Sequence, residues 1–215
     1  MGGGGEQFNL FVILFVRCGS IGWVIWALSV VALALMIKFC LDIRRKTILP
    51  GDVHAVIRQH FEVKQYREAI ELTANEPSFL SYILHASLSE ATHGYPAMER
   101  AMEEAAEHRT TVYLRRIEIL NLIGNIAPMM GLLGTVWGMI LAFFQIVEKG
   151  GTPPPGELAD AIGIALVTTL EGLLVAIPVL GIYAMLRNRI DALSSEAIVA
   201  SQELISAFRP GTKKA

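Results

Sequence analysis

The chain has 215 residues, of which 53% are hydrophobic and 18% are charged, and its mean hydropathy is +0.49. Soluble domains carry more charge, about 25%, so this composition excludes an ordinary soluble protein and indicates a polytopic helical membrane protein that lies in a lipid bilayer. The net charge of −2 gives no general attraction to nucleic acid, and no nucleic-acid partner is expected. Cys18 and Cys40 would lie near opposite ends of one helix, too far apart for a disulfide.

Three apolar runs are each long enough to cross a bilayer, because about 20 residues suffice at about 1.5 Å per residue. Trp23 and Trp26 are expected as aromatic anchors of the first run. The apolar residues 8–16 are too short to span and lack the features of a cleaved signal peptide, so they are predicted to form a short helix that lies at the interface or packs against the first span. The predicted segments are a periplasmic N-terminal and interfacial segment (1–19), transmembrane helix 1 (20–42), a cytoplasmic helical region (43–117), transmembrane helix 2 (118–147), a periplasmic turn (148–160), transmembrane helix 3 (161–186) and a cytoplasmic helix and tail (187–215).

The cytoplasmic region reads as a set of short helices. They are predicted from an Asp52 cap to His60, from 63 to 74, and from a Ser78 cap to about 91. Gly94 ends that stretch, and Pro96 suits the first turn of one long helix that runs into transmembrane helix 2. After the third span, an amphipathic helix is expected to continue to about residue 208.

The distribution of Lys and Arg predicts the orientation. Basic residues cluster after the first span (44–46), before the second (109–116) and after the third (187–189), whereas the turn between the last two spans has only Lys149. The positive-inside rule therefore places the N-terminus in the periplasm and the C-terminus in the cytoplasm of a bacterial inner membrane.

Small residues and hydroxyls follow one face of each of the last two spans. Helical spacing puts Gly131, Gly134, Thr135, Gly138 and Ala142 on one face and Ala161, Ala165, Thr169, Gly172 and Ala176 on another. Small stripes let helices approach closely in lipid. Thr135 and Thr169 fall at similar distances from the connecting turn, which favours a polar pathway or interface. The alternative is that each threonine only bonds the carbonyl one turn back.

Glu171 is an ionisable residue near the middle of the third span, close to Thr168. A carboxylate there costs about 2.5–3.5 kcal/mol and usually faces a bundle interior or an aqueous path. It is interpreted as a proton or cation relay or as a charge partner of a neighbouring helix; the alternative is a protonated side chain bonded for packing. Glu171 lies about 60° around the helix from Thr168 and about 160° from Thr169, so it is expected to face an adjacent subunit.

Other residue types point to packing and not to chemistry. Pro128 and Pro178 are predicted to kink the second and third spans. The five histidines have no metal-ligand spacing, and no nucleophile–base pair is evident, so neither a metal, a cofactor nor an enzyme is expected.

Two stretches carry a family resemblance. "APMMGLLGTVWGM" (127–139) and "ALVTTLEGLLVAIPVLGIY" (165–183) resemble the paired segments of the ExbB/TolQ/MotA proton-channel family. MotA-type proteins have four spans, so three spans favour the ExbB/TolQ branch.

The resemblance implies a homopentamer around a pore that holds the single transmembrane helices of two ExbD/TolR-like partners, each with a membrane aspartate. Proton flow would drive movement that energises a TonB-like protein or the Tol–Pal system. The family's pore threonines fall on Thr135 and Thr169. Its usual glutamate, five residues before the second threonine, is Ile164 here, so the carboxylate is lost or Glu171 does its work.

The resulting interpretation is an all-α membrane protein with three transmembrane helices, a helical cytoplasmic insert, long helices extending into the cytoplasm and a ring-shaped oligomer. Its function is the channel-forming subunit of an ion-gradient-driven motor; the rival is a passive membrane scaffold, and an intramembrane enzyme is disfavoured. Hydroxyls and a carboxylate serve protons and sodium alike. The ion pathway is assigned to Thr135, Thr168, Thr169 and Glu171, and helix packing to Gly131, Gly134, Gly138, Ala165, Gly172, Pro128 and Pro178.

Overall fold

The structure, a computed structural model, describes residues 19–63, 65–148, 150–151 and 154–209. The described residues contain helices and no β-strand, which confirms the all-α prediction. The interfacial helix predicted at 8–16 lies outside them. The helices are α1 (Gly19–Asp42), α2 (Arg45–Ile48), α3 (Gly51–Glu62), α4 (Tyr66–Asn75), α5 (Phe79–Ser89), a 3₁₀ turn (Ala91–His93), α6 (Tyr95–Glu148), α7 (Pro155–Ile205) and a last 3₁₀ turn (Ser206–Phe208).

Three of these helices are long and apolar enough to cross a membrane. The candidate spans lie in Ile21–Asp42, Tyr95–Glu148 and Ile162–Ile205. The chain forms two compact units, which we call the apolar unit (Met1–Ile37 with Glu118–Tyr183) and the polar unit (Lys38–Ile117 with Ala184–Ala215).

The apolar unit buries small residues at its closest helix contacts and exposes many large apolar side chains. Ala127, Ala142 and Ala165 are at most 3% exposed, whereas Phe144 and Ile177 are 66% and 71% exposed. Lipid tails are as apolar as these side chains, so helices in a bilayer gain little from hiding bulk and associate through close contact of small residues. This pattern is therefore what a lipid solvent selects.

The polar unit has the opposite pattern. Its core is built on α5, whose large apolar side chains Phe79, Leu80, Ile83, Leu84 and Leu88 are buried. Met98 and Met102 of α6 and Ile190 of α7 are fully buried in the same unit. Large side chains inside and charges outside indicate a unit that folds against water.

The predicted helix signals of the polar unit are confirmed at most positions. The Ser78 hydroxyl accepts a hydrogen bond from the Ser81 N–H at 3.1 Å and caps α5. Gly94 has φ +89°, a left-handed conformation that glycine adopts freely, and it separates the 3₁₀ turn from α6. Pro96 is the second residue of α6, where a missing N–H costs nothing.

Two predicted helix starts are wrong. Helix α3 begins at Gly51, so Asp52 lies within its first turn instead of capping it. Pro50 disfavours helix at Leu49, and the helix restarts directly behind the proline. Helix α4 begins at Tyr66 and not at residue 63. The four-residue helix α2 was not predicted, because so short an element shows no apolar period.

The two long helices are continuous. Helix α6 runs without a break from Tyr95 to Glu148, as predicted, and α7 from Pro155 to Ile205. Pro128 and Pro178 lie inside them. Each proline lacks an N–H, so the carbonyl four residues earlier loses its helical partner. Helices in lipid tolerate this where neighbouring groups satisfy the carbonyl.

Candidate functional site

In the apolar unit, helices α6 and α7 lie so close together that their backbones are in contact. The contact, which we call the seam, consists of Ala127, Gly131, Gly134 and Gly138 of α6 against Ala165, Thr168, Thr169 and Gly172 of α7. A Cβ at Gly131 would lie 2.9 Å from the Thr168 carbonyl oxygen and from the Thr169 Cα. A Cβ at Gly138 would lie 2.9 Å from the Ala165 Cβ. The seam therefore admits only glycine at these positions without movement of the helices.

The seam fixes which residues lie at the same level. Gly131 lies against Thr169, and Gly138 lies against Ala165 further along the antiparallel pair. Thr135 is one turn from Gly131, so Thr135 and Thr169 lie within about 6 Å of each other along the helix axes. This is the depth match that the spacing of the two stripes predicts.

Both threonines lie on the same side of the seam. At about 100° per residue, Thr135 is about 40° around α6 from Gly131, and Thr169 is about 40° around α7 from Ala165. Because the helices run antiparallel, equal rotations turn both residues toward the same side. We call it the hydroxyl side, defined by Thr135 and Thr169.

Each of these hydroxyls is bonded to a backbone carbonyl. Thr135 Oγ1 donates to the Leu132 oxygen at 2.7 Å within α6. Thr169 Oγ1 donates across the seam to the Gly131 oxygen at 3.1 Å. Both side chains are partly exposed in the single chain, and exposed apolar residues such as Leu132 and Leu166 flank them. The hydroxyl side is thus not covered by the described part of the chain's own α1, α6 and α7.

Thr168 and Glu171 do not lie on the hydroxyl side: Thr168 faces into the seam and Glu171 lies beyond it. Thr168 is 2% exposed, donates to the Ala165 oxygen at 2.8 Å, and fills the space beside Gly134. Glu171 is 4% exposed and lies beside Trp26 of α1. The structure therefore does not bring the predicted ion-pathway residues into one group.

The expectation that Glu171 faces an adjacent subunit is wrong. Its own α1 covers it, because α1 packs on the side of α7 that carries Glu171. The helical angle predicted correctly that Glu171 points away from Thr169, but an angle does not reveal which helix occupies that side. Trp26, expected as an interfacial anchor, is the α1 residue beside the carboxyl group, whereas Trp23 is 63% exposed.

A small cavity adjoins the Glu171 carboxyl group. Its volume is about 70 Å³, and it is lined by Ile25, Trp26, Ser29, Glu171, Leu174 and Val175. The Trp26 side chain interacts with the carboxyl group. Neither carboxyl oxygen, however, has a partner that meets hydrogen-bond geometry among the described residues.

A polar ladder at one end of the apolar unit was missed by the sequence analysis. Tyr183 Oη donates to Glu118 Oε2 at 3.0 Å, Asn121 Nδ2 donates to Glu118 Oε1 at 2.7 Å, and Asn125 Nδ2 donates to Asn121 Oδ1 at 2.9 Å. Asn121 lies about 40° around α6 from Thr135, toward the hydroxyl side. The spacing i, i+3, i+7 of Glu118, Asn121 and Asn125 is the signal that would have revealed it.

The position that carries a glutamate in the resembling family holds the partly exposed Ile164. Glu171 follows seven residues later, which is two turns along the same face of α7 and about 10 Å further along the axis. Within the described residues, no group of three or more His, Cys, Asp or Glu side chains is arranged to bind a metal.

Comparison with known proteins finds one family and several relatives that match this chain. The model of the MotA/TolQ/ExbB proton channel family matches residues 74–197. The chain is similar to the biopolymer transport protein exbB1 of Vibrio cholerae serotype O1, at 47% identity over 62 residues, which is 29% of this chain and 27% of that protein. It is also similar to the biopolymer transport protein ExbB of Pseudomonas putida, at 28% identity over 151 residues, 65% of this chain and 45% of that one. The chain thus spans less than half the length of these relatives.

A solved structure shares the fold. The structure of C. jejuni MotAB matches with a TM-score of 0.60 at 19% identity, covering 94% of this chain and 81% of that one. The family match extends over more than half of the chain and contains both motif segments and the whole seam. The names of the relatives agree with the ExbB/TolQ branch, and the family is one of channels and transport motors, not of enzymes. The chain belongs to the MotA/TolQ/ExbB proton channel family.

Proposed function

We propose that this chain is the channel-forming subunit of an ion-gradient-driven motor in the bacterial inner membrane, and that it works with an ExbD/TolR-like single-span partner. The observation that carries the proposal is that Thr135 and Thr169 lie within one turn of each other on one side of a glycine seam, while α1 packs on the other side. Among the described helices, none covers the side with the hydroxyls, which is where a partner helix would bind.

In the proposed assembly, five copies form a ring in which the hydroxyl side faces the central lumen and α1 lies outside. A carboxyl group on the partner helix would then pass Thr135 and Thr169 in turn. The seam holds α6 and α7 at backbone contact, so the two hydroxyls keep a fixed position while the partner moves. Glu118, Asn121 and Asn125 would continue this path toward the cytoplasm.

The proposed membrane segments are 20–42, 118–147 and 161–186, with the N-terminus and the 148–160 turn in the periplasm. The 43–117 region and the tail from 187 would then lie in the cytoplasm. The motor would energise outer-membrane transport through a TonB-like protein or envelope maintenance through Tol–Pal components. Family membership and the ExbB names of the relatives support this assignment.

Valine and serine variants test the role of the hydroxyls. Valine has the shape of threonine without the hydroxyl, so Thr135→Val and Thr169→Val should each reduce partner-dependent ion flux and energised transport to the background of a strain without the protein. Thr135→Ser and Thr169→Ser keep the hydroxyl and should retain most of the activity. Native mass spectrometry should show five copies in every variant.

Thr168→Val is the matched control, since Thr168 neighbours Thr169 but its hydroxyl lies inside the seam. It should transport normally. Full transport by both Thr135→Val and Thr169→Val would refute the proposal. Loss of the oligomer without any selective loss of ion flux would instead support a passive scaffold.

A further inference from the structure

Glu171 is a buried carboxyl group without a full hydrogen bond. It is 4% exposed, and both of its oxygens lack a partner of proper geometry among the described residues. A buried polar atom that lacks a hydrogen bond of proper geometry carries a penalty of about 1–3 kcal/mol or more. Such a group in a folded protein calls for a further partner, and an ordered water molecule is the usual one.

The cavity beside Glu171 has room for that partner. Its volume of about 70 Å³ exceeds the roughly 10–15 Å³ that one water molecule needs. Water also needs two to four polar partners. The lining offers the two Glu171 oxygens and the Ser29 hydroxyl, with Ile25, Trp26, Leu174 and Val175 around them.

The chemistry of the lining favours a proton over a metal cation. Among the described residues, Glu171 is the only ionisable side chain that lines this cavity, so none of their cations neutralises an ionised carboxylate there. An indole N–H is a donor only and cannot ligate a metal ion. One carboxylate and one hydroxyl supply few of the six or more oxygens that a hard cation takes, and about 70 Å³ leaves little room for the cation together with the waters that would complete the set.

We propose that the cavity between α1 and α7 is a hydrated protonation site, in which ordered water bridges Ser29 to Glu171 beside Trp26 and exchanges a proton with the carboxyl group. The site lies on the side of the seam opposite Thr135 and Thr169. It is therefore separate from the proposed pore, and it stands whether or not the hydroxyl side lines a lumen.

Infrared difference spectroscopy on the purified full-length oligomer in lipid tests the proposal. The wild-type spectrum minus that of Glu171→Gln should contain the C=O band of a protonated carboxylic acid. That band should shift when H₂O is replaced by D₂O, because the water in the cavity exchanges the proton. Glu107→Gln, which alters an exposed carboxylate of the polar unit, is the control and should remove carboxylate bands only.

A second pair of variants keeps the test valid if Glu171→Gln does not fold. Ser29→Leu fills the cavity and removes one water partner, so the D₂O-induced shift of the acid band should be lost while Glu171 is still present. Val30→Leu places the same side chain at the neighbouring residue, which is 66% exposed, and should leave the shift unchanged. An ionised Glu171, an acid band that does not exchange in the wild type, or stoichiometric sodium binding that Glu171→Gln abolishes would overturn the proposal.

Discussion

At the scale of single residues, the close packing of α6 against α7 in the apolar unit requires glycines, which have no side chain. A Cβ at Gly172 would lie 2.5 Å from the Ala127 oxygen, and one at Gly131 would meet the backbone of α7. Backbone atoms cannot rotate away, so a methyl group there must push the two helices apart. Gly124 differs, because the atoms near its added Cβ belong to the Leu180 side chain, which is able to turn.

Gly131→Ala should therefore destabilise the chain, whereas Gly181→Ala should not. An added Cβ at Gly181 meets nothing within 4 Å, so this variant gains helix propensity and should be neutral or up to about 1 kcal/mol more stable. Gly131→Ala should lose about 1–3 kcal/mol through overpacking. The free energy of unfolding in lipid–detergent micelles gives both values, and equal stabilities of the two variants would contradict the described seam.

At the scale of elements, the sequence predicts best where a pattern is long or a breaker is sharp. The apolar runs predict α1, α6 and α7, and Gly94 with Pro96 marks the start of α6, because a 3.6-residue period and the backbone limits of glycine and proline are local properties. Helix α2 and the start of α3 were missed because they depend on one turn around Pro50.

The same limit applies to the site. Spacing predicts which residues share a face of one helix. The stripes of small residues and the matched depth of Thr135 and Thr169 could therefore be predicted from the sequence. The contact of Glu171 with Trp26 was not, because it joins two helices far apart in the chain, and no local pattern encodes which side α1 covers. The ladder of Glu118, Asn121 and Asn125 was readable as a polar face, but its bond to Tyr183 depends on the packing of α6 with α7.

The cap of α5 gives a prediction at the same scale. Ser78 is 3% exposed and its hydroxyl accepts the Ser81 N–H, so Ser78→Ala leaves that donor buried without a partner. The variant should lose about 0.5–2 kcal/mol of stability, seen as faster hydrogen–deuterium exchange of the amides in Phe79–Ile83. Ser89→Ala, at the exposed end of α5, is the control. Unchanged exchange in Ser78→Ala would show that the cap contributes little.

At the scale of the whole molecule, the two units follow opposite packing rules. One hides small residues and exposes large ones such as Phe144, while the other hides Phe79 and Met102 and exposes charge. The difference is the solvent, since lipid and water select different surfaces. The chain is therefore built to lie partly in a bilayer and partly in water.

The proposed orientation is testable with single cysteines in a background without Cys18 and Cys40. Gly151, between α6 and α7, and Ser195, an exposed residue of α7 in the polar unit, are suitable positions. Because basic residues are retained in the cytoplasm, a membrane-impermeant maleimide should label Gly151→Cys in cells whose inner membrane is intact. It should label Ser195→Cys only after that membrane is opened. The reverse pattern would invert the assignment.

The hydrogen bonds of Thr135 and Thr169 limit what the hydroxyl side can recognise. Each hydroxyl has a single hydrogen, and each donates it to a main-chain carbonyl. Toward an ion or a partner side chain, the two threonine oxygens therefore present only lone pairs and can only accept hydrogen bonds. Such a surface can bind a hydronium ion, a metal cation or a protonated carboxylic acid, and it repels an ionised carboxylate. In the proposed assembly, the carboxyl group of the partner would therefore lie against these threonines in its protonated form. The valine variants remove this preference for the protonated over the ionised form.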